Sequence, residues 1–270
     1  MPLAPFRLLL GFALAALIAF VGHRRHSLSR SGAVGAMLVG AIIFGLGGLA
    51  WGILLIVFFV SSSALSHYKE TQKEALAEKF SKGGQRDLAQ TLANGGAGMI
   101  IALLWTVKPD APLWAAFVGA MAAVNADTWA TELGVLSKDA PRLVTNGKIV
   151  EVGTSGGVTL AGTLAAAAGA ASIAGVGGVA AGGWHLALVG TSGGLLGSLF
   201  DSLLGATVQA IYICDGCGKE TERHPIHTCG NPTRLSRGWR WLDNDWVNFI
   251  SSIVGALVAV GLWEWLTRML

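Results

Sequence analysis

The sequence predicts an all-α integral membrane protein, a polytopic bundle of about eight transmembrane helices. Three observations predict it. The chain is 53% hydrophobic and 13% charged, with 38 glycines among 270 residues, whereas an average soluble domain carries ~25% charged residues and ~7% glycine. Its apolar residues gather into eight runs, several near the ~20 residues that cross a bilayer. Its basic residues sit on alternate loops. This balance excludes an ordinary soluble domain, and abundant Gly and Ala let helices approach closely in lipid.

The first run covers residues 5–22. It lacks a basic leading segment and ends in His23-Arg24-Arg25-His26 with no A-x-A pattern, so a retained helix is expected rather than a cleaved signal peptide. Runs 32–47 and 50–66 follow, with a short Gly-rich break that leaves one long bent segment as the competing reading. Residues 67–91 are charged, with apolar positions at Leu76, Phe80 and Leu88 and a turn at Gly83–Gly84. They read as a surface amphipathic loop. Runs 92–106 and 112–134 flank a Lys-Pro-Asp-Ala-Pro turn. Polar residues 135–156 precede runs 157–180 and 184–212, which are divided at Gly182–Gly183. Residues 213–245 form the longest polar segment, and run 246–267 closes a single membrane domain of residues 1–270. The loops after spans one, three, five and seven contain all but Arg7, Lys108 and Arg268 of the 19 Lys and Arg residues. The positive-inside rule places those loops in the cytoplasm and both termini on the other side. Arg24 and Arg25 are topology determinants in this reading.

Against this background the polar residues near the ends of the apolar runs stand out. Ionisable groups at membrane depth are costly and mark functional sites. Asn125, Thr128 and Glu132 share one face of a helix by their spacing, with Asp127 and Thr131 on the adjacent face. Interhelical hydrogen bonding is the plain alternative, most of all for the threonines. Two nearby acids repel unless a cation lies between them, and hard oxygen ligands beside a membrane suit Mg²⁺ shared with a phosphate. Asp201, with Ser202, adds a third acid, in step with Gly205 and Gln209. The turn Glu151-Val-Gly-Thr-Ser-Gly-Gly opens the sixth run. Its Gly153, Gly156 and Gly157 permit close approach of a phosphate, Thr154 or Ser155 is a candidate N-cap, and Lys148 is a candidate phosphate partner. Lys79, Arg86, Gln90 and Asn94 lead into the fourth span, where Lys79 and Arg86 are candidates for a phosphate headgroup. Asn244, Asp245 and Asn248 open the last span, with Asn244 a candidate N-cap.

The three cysteines, Cys214, Cys217 and Cys229, are too few and odd in number for an internal disulfide framework. With His224 and His227 they offer a compact zinc ligand set; free or redox-active thiols are the alternative.

These residues carry a family resemblance. Asp127-x2-Ala130-x3-Gly134, followed by Lys148-x2-Glu151-x-Gly153-Thr154, resembles the CTP-using membrane enzymes: dolichol and phytol kinases and CDP-diacylglycerol synthases. Val152 shifts the second motif by one residue. A closer likeness is to the integral membrane family that includes transmembrane protein 19 and the plastid phytyl-phosphate kinase of the tocopherol pathway. It rests on NADTWATELG (125–134), GTSGG (153–157), DSLLGATVQ (201–209), the Cys-x2-Cys loop and NDWVN (244–248). QTLANGGAG (90–98) and Ser29-x2-Gly32-Ala33 add to it. The resemblance implies phosphoryl transfer from a nucleoside triphosphate to an isoprenyl monophosphate at the cytoplasmic face. Asp127, Glu132 and Asp201 would then hold Mg²⁺, Lys148 and Gly153 to Gly157 would cradle phosphate, and Lys79 and Arg86 would orient the acceptor. The expected partners are nucleotide, isoprenoid phosphate and membrane lipid, with no nucleic acid polymer. A cytidylyltransferase and an ion-coupled transporter are the rival readings.

Overall fold

The computed structural model describes residues 4–74, 79–80, 84–181 and 183–269. Leu76, Gly83 and Gly182, named above, lie outside the described residues. Among these residues, eight long helices follow the eight apolar runs: α1 (Ala4–Arg24), α2 (Arg30–Ile42), α3 (Leu49–His67), α5 (Leu88–Val107), α6 (Ala111–Gly134), α7 (Leu160–Ala181), α8 (Trp184–Thr207) and α9 (Asn244–Met269). The short helix α4 (Glu70–Glu74) lies in the charged segment after α3.

The helix ends follow from local chemistry. Ser29 caps α2, its Oγ accepting from Gly32 N at 3.1 Å. Asp87 and Gln90 form a reciprocal capping box on α5, which satisfies two backbone groups the helix start leaves open. Asp110 caps α6 through Leu113 N, with Pro112 in the first turn, where its missing N–H costs nothing. Helix α2 runs on as a π-helical turn, Ile43–Gly47, and stops at Gly48, whose φ of 92° is glycine's own territory. Residues 32–66 are therefore two segments, not one bent one.

Among the described residues, seven of the eight long helices are long and apolar enough to cross a membrane. The eighth is α6. Its polar last turns lower its hydropathy, and its surroundings account for that: every residue from Trp114 to Ala126 is buried. It packs against α3, α5, α7, α8 and α9, so its neighbours are helices rather than lipid. Small residues make this possible. A Cβ added at Gly119 of α6 would stand 2.5 Å from Ala259 Cβ of α9, and one at Gly194 of α8 would stand 2.6 Å from Ala122 Cβ. At the far end of α6, Trp51 stacks on Phe117 at 4.1 Å and tilts against Trp105 and Trp114.

The loops add two small antiparallel sheets to the helical bundle. Strand β1 (Arg142–Leu143) pairs with β2 (Gly157–Val158), and β3 (Ile211–Cys214) lies between β4 (Glu220–Thr221) and β5 (Thr233–Arg237). Two expected boundaries move as a result. The apolar run 184–212 is divided, because its last residues, Ile211 and Tyr212, are buried in the second sheet and not in a membrane helix. Helix α7 starts at Leu160, after β2, and is capped by Thr159 through Gly162 N. Neither Thr154 nor Ser155 caps it.

The four basic loops meet at one end of the bundle. Arg86 N donates to Ser27 O and Ser29 N to Arg86 O, which ties the first loop to the charged segment. Glu222 N donates to Lys79 O, Lys79 pairs with Glu151, and Ser155 bonds Glu222. The alternation of basic and non-basic loops thus has a spatial counterpart: the basic loops form one continuous polar cap.

Candidate active site

Under this cap a cleft of about 290 Å³ opens between the ends of α5, α6, α8 and α9. Its acidic side is built by three elements. Asp127 comes from α6, Asp201 from α8 and Glu222 from the residue after β4, and all three line the cleft. Helices α6 and α8 approach closely through Gly194 and Ala122, which lets carboxylates from both helices reach one cleft. Asp201 Oδ2 is buried beside the Ser251 hydroxyl of α9, with no regular hydrogen bond among the described residues. Like charges crowded this way repel, and a buried carboxylate oxygen without a donor is costly. A hard divalent cation shared with phosphate oxygens would relieve both.

Glu222 is the member sequence reading missed. It stands in a polar loop beside Lys219, Glu220 and Arg223, where no contrast in composition singles it out. Its Oε1 accepts from Ser155 Oγ and from Gln209 Nε2, each at 2.9 Å. Gln209 lies beyond the end of α8 and not on its face. It is thus a support for Glu222 as well as a lining residue.

The Gly153–Gly157 turn forms one wall. Gly153 and Gly156 both have φ +82°, and Thr154 N and Gly157 N close the turn on Glu151 O and Thr154 O. The turn is seated on α8: a Cβ at Gly156 would run into the backbone of Ala206, and one at Gly205 would meet Gly156 N at 2.9 Å. Arg237 fastens the seam, Nη1 donating to Gly205 O at 2.7 Å and Nη2 to Ser155 O at 3.5 Å. β2 follows immediately, so the turn is held between a strand and α8. The expected placement at a helix N-terminus does not occur.

Arg86, Asn94, Thr131, Glu132, Ser202, Asn244, Asp245 and Asn248 also line the cleft. Arg86 Nη1 donates to Ser63 Oγ at 3.2 Å. Burial pulls the guanidinium below the ordinary arginine value, and the nearby charge of Glu132 opposes that pull. Both oxygens of Glu132 accept from protein donors: Ser66 Oγ and Lys73 Nζ, each at 2.5 Å. The acid expected to share a metal with Asp127 is therefore paired with a lysine. Thr128 bonds back to Val124 O. At the start of α9 Asp243 is the cap, through Trp246 N, and not Asn244.

Several expected site residues stand elsewhere. Asn125 is fully buried and donates to Gly169 O at 2.8 Å and Ser172 Oγ at 3.1 Å, while accepting from Ser61 Oγ at 3.1 Å. It ties α6 to α3 and α7, and does not line the cleft. Lys148 is exposed on the turn between Leu143 and Val150, also outside it. Lys79 and Glu151 pair with each other at 2.7 Å at the rim. The hydrogen bond from Lys79, then its charge, hold Glu151 below the usual carboxylate range.

In the second sheet, Cys214, Cys217, His227 and Cys229 bring one donor atom each to within 4.8 Å of one another. His224 is not among them; it stacks on Tyr212 at 4.5 Å. A hydrogen bond from Asn231, then one from His227, bring the Cys229 thiol down to about 6.

Fold and cleft together define a polytopic membrane protein with an acid-lined polar site at one end of its bundle. The chain belongs to the family described as integral membrane protein DUF92, which residues 13–256 match. Protein PGR of Arabidopsis thaliana is 35% identical over 275 residues, covering 92% of this chain and 93% of its own length. An uncharacterized membrane protein of Methanocaldococcus jannaschii is 31% identical over 256 residues, covering 94% and 93%. Protein VTE6, chloroplastic, of Arabidopsis thaliana is 28% identical over 238 residues, covering 86% of this chain and 64% of its own length. No solved structure matches the chain.

Proposed function

We propose that this protein is a membrane kinase that transfers a phosphoryl group from a nucleoside triphosphate, CTP-like, to an isoprenyl monophosphate such as phytyl or geranylgeranyl phosphate. One observation carries the reading. The polar cleft adjoins an apolar groove between α1, α2, α3 and α5, lined by side chains such as Ile18, Val39, Leu55 and Phe59, and the two share Arg86 and Asn94. An amphiphile with an anionic head suits that junction, with the phosphate on the guanidinium and the first carbons of the tail in the groove of about 60 Å³. The similarity to VTE6 and the resemblance to the phytyl-phosphate kinase family support the same class. The concentration of Lys and Arg at the cleft end supports a cytoplasmic position, where nucleotide is available.

In this reading an oxygen of the acceptor phosphate attacks the γ-phosphorus of the donor. The bond from that phosphorus to the β–γ bridging oxygen breaks, and nucleoside diphosphate leaves with the electron pair. The acceptor is already an anion, so positioning and charge neutralisation dominate and no strong base is needed. Arg86 and Asn94 orient the acceptor. The turn Gly153 to Gly157 shapes the donor side, with Asn244, Asp245 and Asn248 opposite. Asp127, Asp201 and Glu222 would hold Mg²⁺, which neutralises charge on the donor phosphates when bound. Zinc at the three-cysteine, one-histidine group belongs to the same reading, as a structural ion outside the reaction.

The test is purified protein in lipid with Mg²⁺, CTP or ATP, and phytyl or geranylgeranyl monophosphate. Isoprenyl diphosphate and nucleoside diphosphate are the expected products. Pyrophosphate with a nucleotide-linked lipid would make it a cytidylyltransferase, and no product with any donor would remove the enzyme reading. Arg86→Gln is expected to raise KM for the isoprenyl phosphate by about 10–100-fold, the worth of a charge-assisted hydrogen bond, with a far smaller change for nucleotide.

A further inference from the structure

We infer that Cys214, Cys217, His227 and Cys229 bind one Zn²⁺ as a clip whose task is to hold the strand that delivers Glu222 to the cleft. The inference rests on the zinc reading above and adds a purpose to it.

The ligands come from two tight turns that face each other. The first carries Cys214 and Cys217 and closes through Gly218 N to Cys214 O at 2.9 Å, with Gly218 at φ +71°. The second carries His227 and Cys229 and closes through Gly230 N to His227 O at 2.9 Å, with Gly230 at φ +83°. Across the gap Cys214 Sγ stands 3.4 Å from Cys229 Sγ, and Cys229 Sγ stands 3.9 Å from Cys217 Sγ. His227 Nδ1 is 3.2 Å from Cys229 Sγ and 3.5 Å from Cys217 Sγ. A disulfide needs about 2.05 Å between sulfurs. A tetrahedron with Zn–S bonds of about 2.3 Å has edges of about 3.8 Å. The observed separations match the tetrahedral edge and not the disulfide.

The path from clip to cleft is short. Cys214 N donates to Lys219 O at 3.1 Å, which turns the chain back into β4. β4 pairs with β3 at Tyr212↔Thr221 and Ile213↔Glu220. Glu222 is the next residue, fixed by its N–H on Lys79 O and its carboxylate on Ser155 and Gln209. On the other side Thr233 Oγ1 donates to Arg223 O at 3.1 Å. A two-residue strand has little stability of its own; metal ligation supplies the constraint, since binding energy at such a site is folding energy.

The experiment uses the full chain, purified without chelator. Zinc content is measured by elemental analysis, and amide hydrogen exchange is followed at Thr221 and Glu222 before and after removal of zinc. The expected results are one zinc per chain, its loss in Cys217→Ser, and exchange at Thr221 and Glu222 about tenfold faster after removal, the effect of a local opening eased by ~1.4 kcal/mol. Exchange in the middle of α6 should not change, which separates loss of the clip from loss of the fold. A chain that binds neither Zn²⁺ nor Co²⁺ overturns both the zinc reading and the clip. Zinc whose removal leaves exchange at Thr221 and Glu222 unchanged overturns the clip alone. Neither result depends on kinase activity.

Discussion

Asp201→Asn is expected to lower isoprenyl diphosphate formation by about 10²–10³-fold, the usual cost of removing one charged group at a phosphoryl-transfer centre. The same variant should unfold at a higher temperature than the parent when divalent metal is absent. Asp201 shares the cleft with Asp127 and Glu222, and its Oδ2 is buried beside Ser251 with no regular hydrogen bond among the described residues. Neutralising it relieves repulsion and removes part of a desolvation cost, so stability rises while function falls. A structural acid behaves in the opposite way. Thermal unfolding in detergent with chelator, set beside turnover, measures both signs.

The second large effect is a contrast between two glutamates. Glu222→Gln should raise the Mg²⁺ concentration needed for half-maximal turnover and lower the maximal rate by about 10²-fold. Glu132→Gln should leave the metal requirement alone and destabilise the chain. Its carboxylate is paired with Lys73, and the two side chains are 20% and 13% exposed. Removing one partner of a largely buried pair strands the other, at a cost of about 2 kcal/mol after allowance for that exposure. A chain whose metal requirement moved with Glu132 and not with Glu222 would restore the pairing expected from helix spacing alone.

That contrast marks the boundary of what local sequence carries. The bundle was legible because a membrane helix is a local object: twenty apolar residues with polar flanks need no distant partner to be recognised. The basic loops were legible as a set because their charge is additive along the chain. Asp127 and Asp201 stood out because each interrupts an apolar run, and burying an acid there is costly. Asn125 gave the same signal for a different reason; a buried amide is equally costly, yet here α3 and α7 satisfy it completely. Sequence contrast reports the cost of burial, not the identity of the group that meets it.

Glu222 was not legible at all. It lies in a polar loop and reaches the cleft only because β4, the cysteine turns and Lys79 place it there. Lys148 and Glu151 failed in reverse, since proximity in sequence to the glycine turn put them near the site on paper. In space, Lys148 is exposed on the turn after β1, and Glu151 is matched by Lys79 at the rim. The glycine turn itself was recognised as a close-approach element, but what approaches it in this fold is α8 at Ala206.

The central claim is that Asp127, Asp201 and Glu222 form one divalent-metal site. Its most direct test is Mn²⁺ binding to the purified chain, read by electron paramagnetic resonance with nucleoside triphosphate present. A saturable Mn²⁺ site displaced by Mg²⁺ is predicted, weakened by about tenfold or more in Asp201→Asn and in Glu222→Gln and intact in Glu132→Gln. Mn²⁺ binding that is unchanged in both of the first two variants, or lost in Glu132→Gln alone, would contradict it.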